Sequence, residues 1–150
     1  MAERTLTQRT VVPATDPVRV IDWLADLRHT VGLQPLIESA ELVADRPGDA
    51  ADTTTWRITE RPRLGRWGFR IRFTATVRRV SPTQVHTQVK AALGTRLVTQ
   101  VHATPVADGS GVEVVQVLTA TAPAATIGYV IGQARAAHTE AFRRLPGLLA

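Results

Sequence analysis

The sequence predicts an α+β domain in which a curved, seven-stranded antiparallel sheet wraps around one long C-terminal helix, with two short helices after the first strand. Three observations carry this. Six successive segments between Leu36 and Thr121 are strand-like, the third alternating apolar and polar residues most cleanly. Short, turn-forming stretches join them, which pairs consecutive strands antiparallel. After Pro123 the period becomes helical and stays so almost to the last residue.

The first strand covers 4–12, is rich in β-branched residues and stops at Pro13. Asp16 then caps a helix with Pro17 at its first position, and Val20, Ile21, Leu24 and Leu27 recur at helical spacing. A second short helix or turn through His29–Leu33 ends before Gln34, because Pro35 disfavours a helical residue in front of it. Strands are expected at 36–45, 53–61, 66–80, 84–93, 96–106 and 112–121. Their turns are Arg46-Pro47-Gly48-Asp49, Pro62-Arg63-Leu64-Gly65, Ser81-Pro82-Thr83, Gly94-Thr95 and Asp108-Gly109-Ser110-Gly111.

The segment 66–80 places Trp67, Phe69, Ile71, Phe73, Ala75 and Val77 on one face. Arg66, Arg70, Arg72, Thr74, Thr76 and Arg78 take the other, so one face is buried and the other wet and basic. In the final helix, about six turns long, Ile127, Val130, Ile131, Ala134, His138, Ala141, Phe142 and Leu145 form one stripe, with Gln133, Ala136, Glu140 and Arg143 opposite.

The 150 residues suit one domain, 1–150, without repeats or linkers. Hydrophobic residues at 44% and charged residues at 21% exclude disorder and coiled coil. The absence of cysteine excludes disulfides, thiolate nucleophiles and sulfur-bound zinc, and suits a reducing cytoplasm. No apolar run reaches the ~18–20 residues of a membrane span, and Met1-Ala2-Glu3-Arg4-Thr5 lacks a signal peptide's apolar stretch, so a cytoplasmic protein is expected. The net charge is +5, yet every basic residue but Lys90 is Arg. Beside so much Ala, Val and Thr, that skew reads as GC-rich codon usage before it reads as a phosphate-binding surface.

Thr10-Val11-Val12-Pro13-Ala14 leads into Asp16-Pro17-Val18-Arg19-Val20-Ile21-Asp22-Trp23-Leu24-Ala25-Asp26, and His29 precedes Gln34-Pro35-Leu36 and the second strand. With this order of elements the chain, over nearly its whole length, resembles the START-like (SRPBCC) superfamily with its helix-grip fold, and within it the polyketide cyclase/dehydrase and lipid-transport-like group. The resemblance implies an elongated cavity between sheet and final helix holding a hydrophobic small molecule, lipid-like or polyketide-like. The alternative it implies is a polyketide cyclase, aromatase or dehydratase using the same cavity. No catalytic signature of the family is carried over, because fold alone does not identify a reaction.

His138 and Glu60 are the candidate acid/base residues. The stripe 127, 131, 134, 138, 142 turns the His138 imidazole toward the sheet, as acid, base or polar anchor. The position also suits a histidine bonded to backbone or water. Glu60 shares parity with Trp56 and Ile58, so if those aim inward its carboxylate reaches the cavity mouth, where burial raises its pKa. It equally suits an edge residue paired with Arg57, Arg61 or Arg63.

Thr87 and Thr99 share parity with Val85, Val89, Leu97 and Val101 and should face inward; Gln116 does so in one of two registers of the last hairpin. Such inward polar groups would orient a ligand's oxygens, or hydrogen-bond within the sheet. Trp56, Trp67, Phe69 and Phe73 offer aromatic area to a planar or isoprenoid ligand or to the core. Ile131 and Phe142 bring the helix stripe to the same cavity, and Gly128 with Gly132 would permit close approach of sheet or ligand.

His86 and His102 stand across the Gly94-Thr95 turn, but no third ligand of matching parity accompanies them, so no metal is expected. No glycine-rich phosphate loop or nucleophile elbow occurs, and no cofactor is implied. The segment 57–79 holds Arg57, Arg61, Arg63, Arg66, Arg70, Arg72, Arg78 and Arg79 with Glu60 as the sole opposing acid within the segment. An acidic carrier protein or an anionic lipid surface fits that face better than nucleic acid, which would want stacking aromatics there.

Overall fold

Alternation and turn chemistry build one curved sheet. The computed structural model describes residues 1–13, 16–43, 52–61, 63–64, 67–68 and 70–149, with 63–64 and 67–68 described as backbone. Its strands are β1 (Ala2–Val12), β2 (Ile37–Leu42), β3 (Thr53–Glu60), β4 (Arg63–Leu64), β5 (Trp67–Gly68), β6 (Ile71–Ser81), β7 (Gln84–Lys90), β8 (Arg96–Pro105) and β9 (Val112–Ala122). Seven of them form an antiparallel sheet in the order β1-β9-β8-β7-β6-β3-β2. The helices are α1 (Pro17–Ala25), α2 (Thr30–Leu33) and α3 (Ile127–Leu148). This is the α+β class with the element order that the sequence predicts.

One strand expectation is corrected. The segment 66–80 is not continuous: Trp67–Gly68 pairs back onto Arg63–Leu64 in a separate two-stranded ribbon, and β6 begins at Ile71, opposite Glu60. A period of two is the same whichever neighbour a strand pairs with, so alternation alone cannot locate the break. The strand expected at 84–93 stops at Lys90, because Leu93 and Gly94 both take positive φ (59° and 72°) in the turn to β8. The turn expected at Arg46-Pro47-Gly48-Asp49 lies outside the described residues.

The short helices are pinned by local chemistry. Asp16 Oδ1 accepts from the Val18 amide at 2.9 Å, and Pro17 opens α1 with its φ already suited to a helix. Asp26 caps the 3-10 turn Leu27–His29 through the Arg28 amide. His29 donates from Nδ1 to the Trp23 carbonyl at 2.7 Å and stacks on the Trp23 ring at 4.3 Å, folding the second turn back on α1.

Helix α3, 22 residues long, lies along one side of the sheet against β1 and β9. Its N-terminal half packs Ile127 and Ala134 with Leu118, Ala120 and Ala122. Its C-terminal half sends Ala141, Phe142 and Leu145 into the main core with Val12, Val20, Ile21, Val112 and Val114. Antiparallel pairing gives the sheet two ends. At one lie the end of β1, the starts of β9 and β7, and the core under α1; at the other lie Glu60, Ile71, Lys90, Arg96 and the start of α3.

The β8–β9 hairpin closes through Val106, whose amide donates to the Gly111 carbonyl at 2.9 Å. A Cβ on Gly111 would overlap the carbonyl oxygen of Val12, which is fully buried, so neither backbone can yield. Gly111→Ala is therefore expected to lose about 1–3 kcal/mol in urea unfolding. Gly32→Ala, at a helical position where a Cβ meets nothing within 4 Å, is the control whose midpoint does not fall.

Candidate functional site

Between α3, the inward faces of β3, β6, β7 and β8, and the short helices lies a cavity of about 340 Å³, within the range of small-molecule sites. Its walls are largely apolar: Ile58, Phe73, Ala75, Val85, Val89 and Val101 from the sheet, Leu24, Leu27 and Leu33 from the short helices, and Ala134, Ala137 and Ala141 from α3. The mouth is marked by lining residues that stay exposed, Ile71 at 38% and Tyr129 at 58%. The far end is sealed by Val85, Val101, Ala141 and Phe142, all buried.

Polar groups sit at both ends. Toward the sealed end, register places Gln116 beside Val101 on β8, pointing inward and buried. Its Nε2 lies 3.0 Å from His138 Nδ1. An amide nitrogen can only donate, so Nδ1 accepts and the proton of the neutral imidazole resides on Nε2. Desolvation holds the ring neutral, its pKa lowered from 6.5 to about 4. Thr87 and Thr99 face each other across β7 and β8 and line the same wall.

Glu60 closes β3 at the mouth, opposite Ile71. Burial pushes its carboxyl above the ordinary 4.5. Among the described residues it has no ion pair: Arg57 reaches Glu41 at 3.9 Å and Arg61 reaches Glu38 at 3.0 Å, because their odd parity sends them to the other face. The edge pairing weighed from the sequence is thus absent for Arg57 and Arg61.

Solved structures with this architecture are numerous. The di-domain ARO/CYC StfQ from the steffimycin biosynthetic pathway superposes with a TM-score of 0.75 at 10% identity, over 98% of this chain and 50% of that one. The chain has the START-like helix-grip fold. A START superfamily protein from Mycobacterium smegmatis gives 0.69 at 13% identity over 97% and 96% of the two chains, and Ara h 8.0201 gives 0.71 at 16% over 99% and 98%. This chain spans about half the length of StfQ and of a second di-domain ARO/CYC, BexL. No protein-family model and no curated protein matches the sequence.

Within this helix-grip frame the cavity gathers His138, Glu60, Phe73, Thr87, Thr99, Gln116 and Phe142. Trp56 is not among its lining residues. Its parity is inward, but it lies in the buried core with Val20 and Ile21, its Nε1 donating to Thr54 Oγ1 at 2.9 Å. Ile131 is also absent from the wall and packs with Leu118 and Ala120 on the β9 flank. Phe69 and the Trp67 side chain lie outside the described residues. Sequence reasoning missed Tyr129 and Gln133, which line the mouth, Gln133 having been expected on the opposite face. The signal was a slanted one: the rows 129-133-137-141 and 130-134-138-142 both line the cavity, and rows of four tilt across a helix axis.

Other expectations are revised. His86 pairs with Gln100 and His102 with Gln84, so the two histidines are diagonal neighbours rather than opposite; no group able to hold a metal occurs among the described residues. Gly128 and Gly132 are exposed, with nothing near their Cβ positions, so they serve no close approach. The arginine face has acids that the segment 57–79 itself lacks: Glu38 holds Arg61 and Arg70, and Glu41 holds Arg57, whereas Arg79 turns to the other side of the sheet and pairs with Asp22 of α1 at 2.7 Å. Among the described residues no helix is long and apolar enough to cross a membrane.

Two pH effects follow from these environments. The unfolded chain takes up the His138 proton before the fold does, so stability is lost as pH falls from about 6.5 toward 4. His138→Gln is expected to remove that dependence, worth about 3 kcal/mol over the window, when urea unfolding is compared at pH 7.5 and 4.5. Glu60 has the opposite sign: its contribution is present below the ordinary carboxylate pKa and lost as pH rises through the raised one. Glu60→Gln should therefore raise the melting temperature at pH 7.5 and leave it unchanged near pH 4.

Proposed function

We propose that this protein binds a hydrophobic small molecule, lipid-like or polyketide-like, in the cavity between the sheet and α3. The observation that carries the reading is a void of about 340 Å³ whose walls are largely apolar, with polar groups on the sheet wall and at its mouth. Affinity would come from apolar burial, at about 25 cal/mol per Å², and orientation from Thr87, Thr99, Gln116 and His138. Phe73 and Phe142 supply aromatic wall. The fold that this protein shares with di-domain ARO/CYC proteins and a START superfamily protein lends the reading support at the level of fold.

An enzymatic reading of the same cavity, a polyketide cyclase, aromatase or dehydratase, is supported by one group. Glu60, a carboxyl of raised pKa at the mouth, is suited to proton transfer. His138 is not, since a ring with a pKa near 4 is a weak base at neutral pH. The arginine face, where Arg57, Arg61 and Arg70 have acidic partners while Arg72 and Arg78 have no ion pair among the described residues, is open to an acidic carrier protein or an anionic lipid surface.

Native mass spectrometry of the purified protein, followed by denaturing extraction, tests the binding reading. A small hydrophobic molecule, retained or added as N-phenyl-1-naphthylamine, is expected at one equivalent. Ala137→Trp, which fills the cavity from α3, should weaken the added probe at least about tenfold while the protein remains folded. Unchanged binding in that variant places the probe elsewhere and overturns the reading. An extracted compound returned to the protein and recovered altered in mass favours the enzyme.

A further inference from the structure

Four polar side chains, Gln116, His138, Thr87 and Thr99, stand together on the cavity wall, apart from Thr30, Gln34, Glu60, Thr95, Tyr129 and Gln133, which also line it, and much of the hydrogen-bonding capacity of the four is unused. Gln116 Nε2 and His138 Nδ1 satisfy each other at 3.0 Å. That leaves the His138 Nε2 proton and Gln116 Oε1 without protein partners. Among the described residues no buried side-chain nitrogen or oxygen lacks a partner, so these two atoms open onto the cavity rather than being sealed in the core. Beside them stand the hydroxyls of Thr87 and Thr99, cross-strand neighbours on the same wall. A donor, an acceptor and two hydroxyls that serve either way are thus presented together.

Equally telling is the charge of the lining. Among the described residues, no lysine or arginine lines the cavity, and Glu60 at the mouth is its one acidic group. A carboxylate or phosphate carried inward would be stripped of water with no cation to receive it, at a cost of several kcal/mol. A carbonyl, quinone, alcohol or phenol oxygen loses far less and recovers it in one hydrogen bond. Resting on the binding function above, we infer that the ligand is neutral and enters oxygen first, with a carbonyl or hydroxyl oxygen received by His138 Nε2–H beside Gln116 and its apolar body toward the mouth. Gln116 acts as a positioning residue: by donating to Nδ1 it fixes the tautomer and aims the Nε2 proton into the cavity.

Three probes of nearly one shape separate these terms: 2-acetylnaphthalene, 2-isopropenylnaphthalene, which replaces C=O by C=CH2, and 2-naphthoate. Each is titrated by displacement of N-phenyl-1-naphthylamine at pH 7.5. The ketone is expected to bind about tenfold tighter than the alkene, as one buried hydrogen bond allows, and the naphthoate weakest of the three. His138→Leu should bring the ketone down to the alkene without weakening the alkene. Gln116→Leu should erode the same preference, while Gln116→Asn, able to donate from a shorter arm, retains part of it.

Equal binding of ketone and alkene to the unaltered protein overturns the anchor and leaves the hydrophobic cavity standing. Naphthoate binding as tightly as the ketone overturns the neutral-ligand inference. Failure of all three probes, and of the reporter itself, overturns the cavity reading beneath both. The comparison on the unaltered protein stands by itself should a variant fail to fold.

Discussion

One helix has to cover a sheet much wider than itself. Strands lie about 4.8 Å apart, so seven span roughly 30 Å, whereas a helix with its side chains is about 10 Å across. Helix α3 resolves the mismatch by taking one side. The small residues Ala120 and Ala122 on β9 meet Ala134 on the helix, and Leu118, Ile127 and Ile131 complete that seat. The inward faces of β3, β6, β7 and β8 are then left facing a helix side on which Ala134, Ala137 and Ala141 alternate with Tyr129, Gln133, His138 and Phe142, and the cavity is the space that remains.

The short helices decide how much of that space stays empty. Leu24, Leu27 and Leu33 line it from α1, the 3-10 turn and α2, while Val20 and Ile21 of α1 fill the core beyond its sealed end. Their position depends on polar contacts more than on helix length: the caps by Asp16 and Asp26, and the Trp23–His29 stack. Arg144 ties α2 to α3 by reaching the Gly32 carbonyl at 3.3 Å while paired with Glu140 at 2.8 Å. Pair energies of this kind are small at a surface, but here they fix the distance between two walls.

Legibility in the sequence followed the range of the interactions. Asp16-Pro17, the break at Gln34-Pro35, the Asp108-Gly109 turn and the inward parity of Thr87 and Thr99 are local or nearest-neighbour matters, and all could be read. The break before Ile71 could not, since the competing partner Arg63–Leu64 offers the same alternation as β3. Nor could the acids facing the arginines, because Glu38 and Glu41 reach that face only once β2 pairs with β3. Trp56 and Ile131 show the finer limit: parity and helical stripe tell inward from outward, but not core from cavity. That distinction depends on where a residue stands along the sheet and on which flank of α3 it lies, and both are set by the helix's seat.

Glu60 and His138, both lining the cavity, illustrate how position alone divides chemistry. Burial acts on both and moves them in opposite directions, raising the Glu60 carboxyl and lowering the His138 imidazolium, because in each case it penalises the charged form. At neutral pH the sealed end is therefore uncharged, and its selectivity is a matter of donors and acceptors. Whatever charge the lining carries stands at the mouth, where Glu60 meets water. In such an interior, desolvation costs an oxygen that must be neutralised more than one that can be hydrogen-bonded. A neutral His138 suits the contact with Gln116, since a protonated ring would turn the acceptor nitrogen facing the Gln116 amide into a donor.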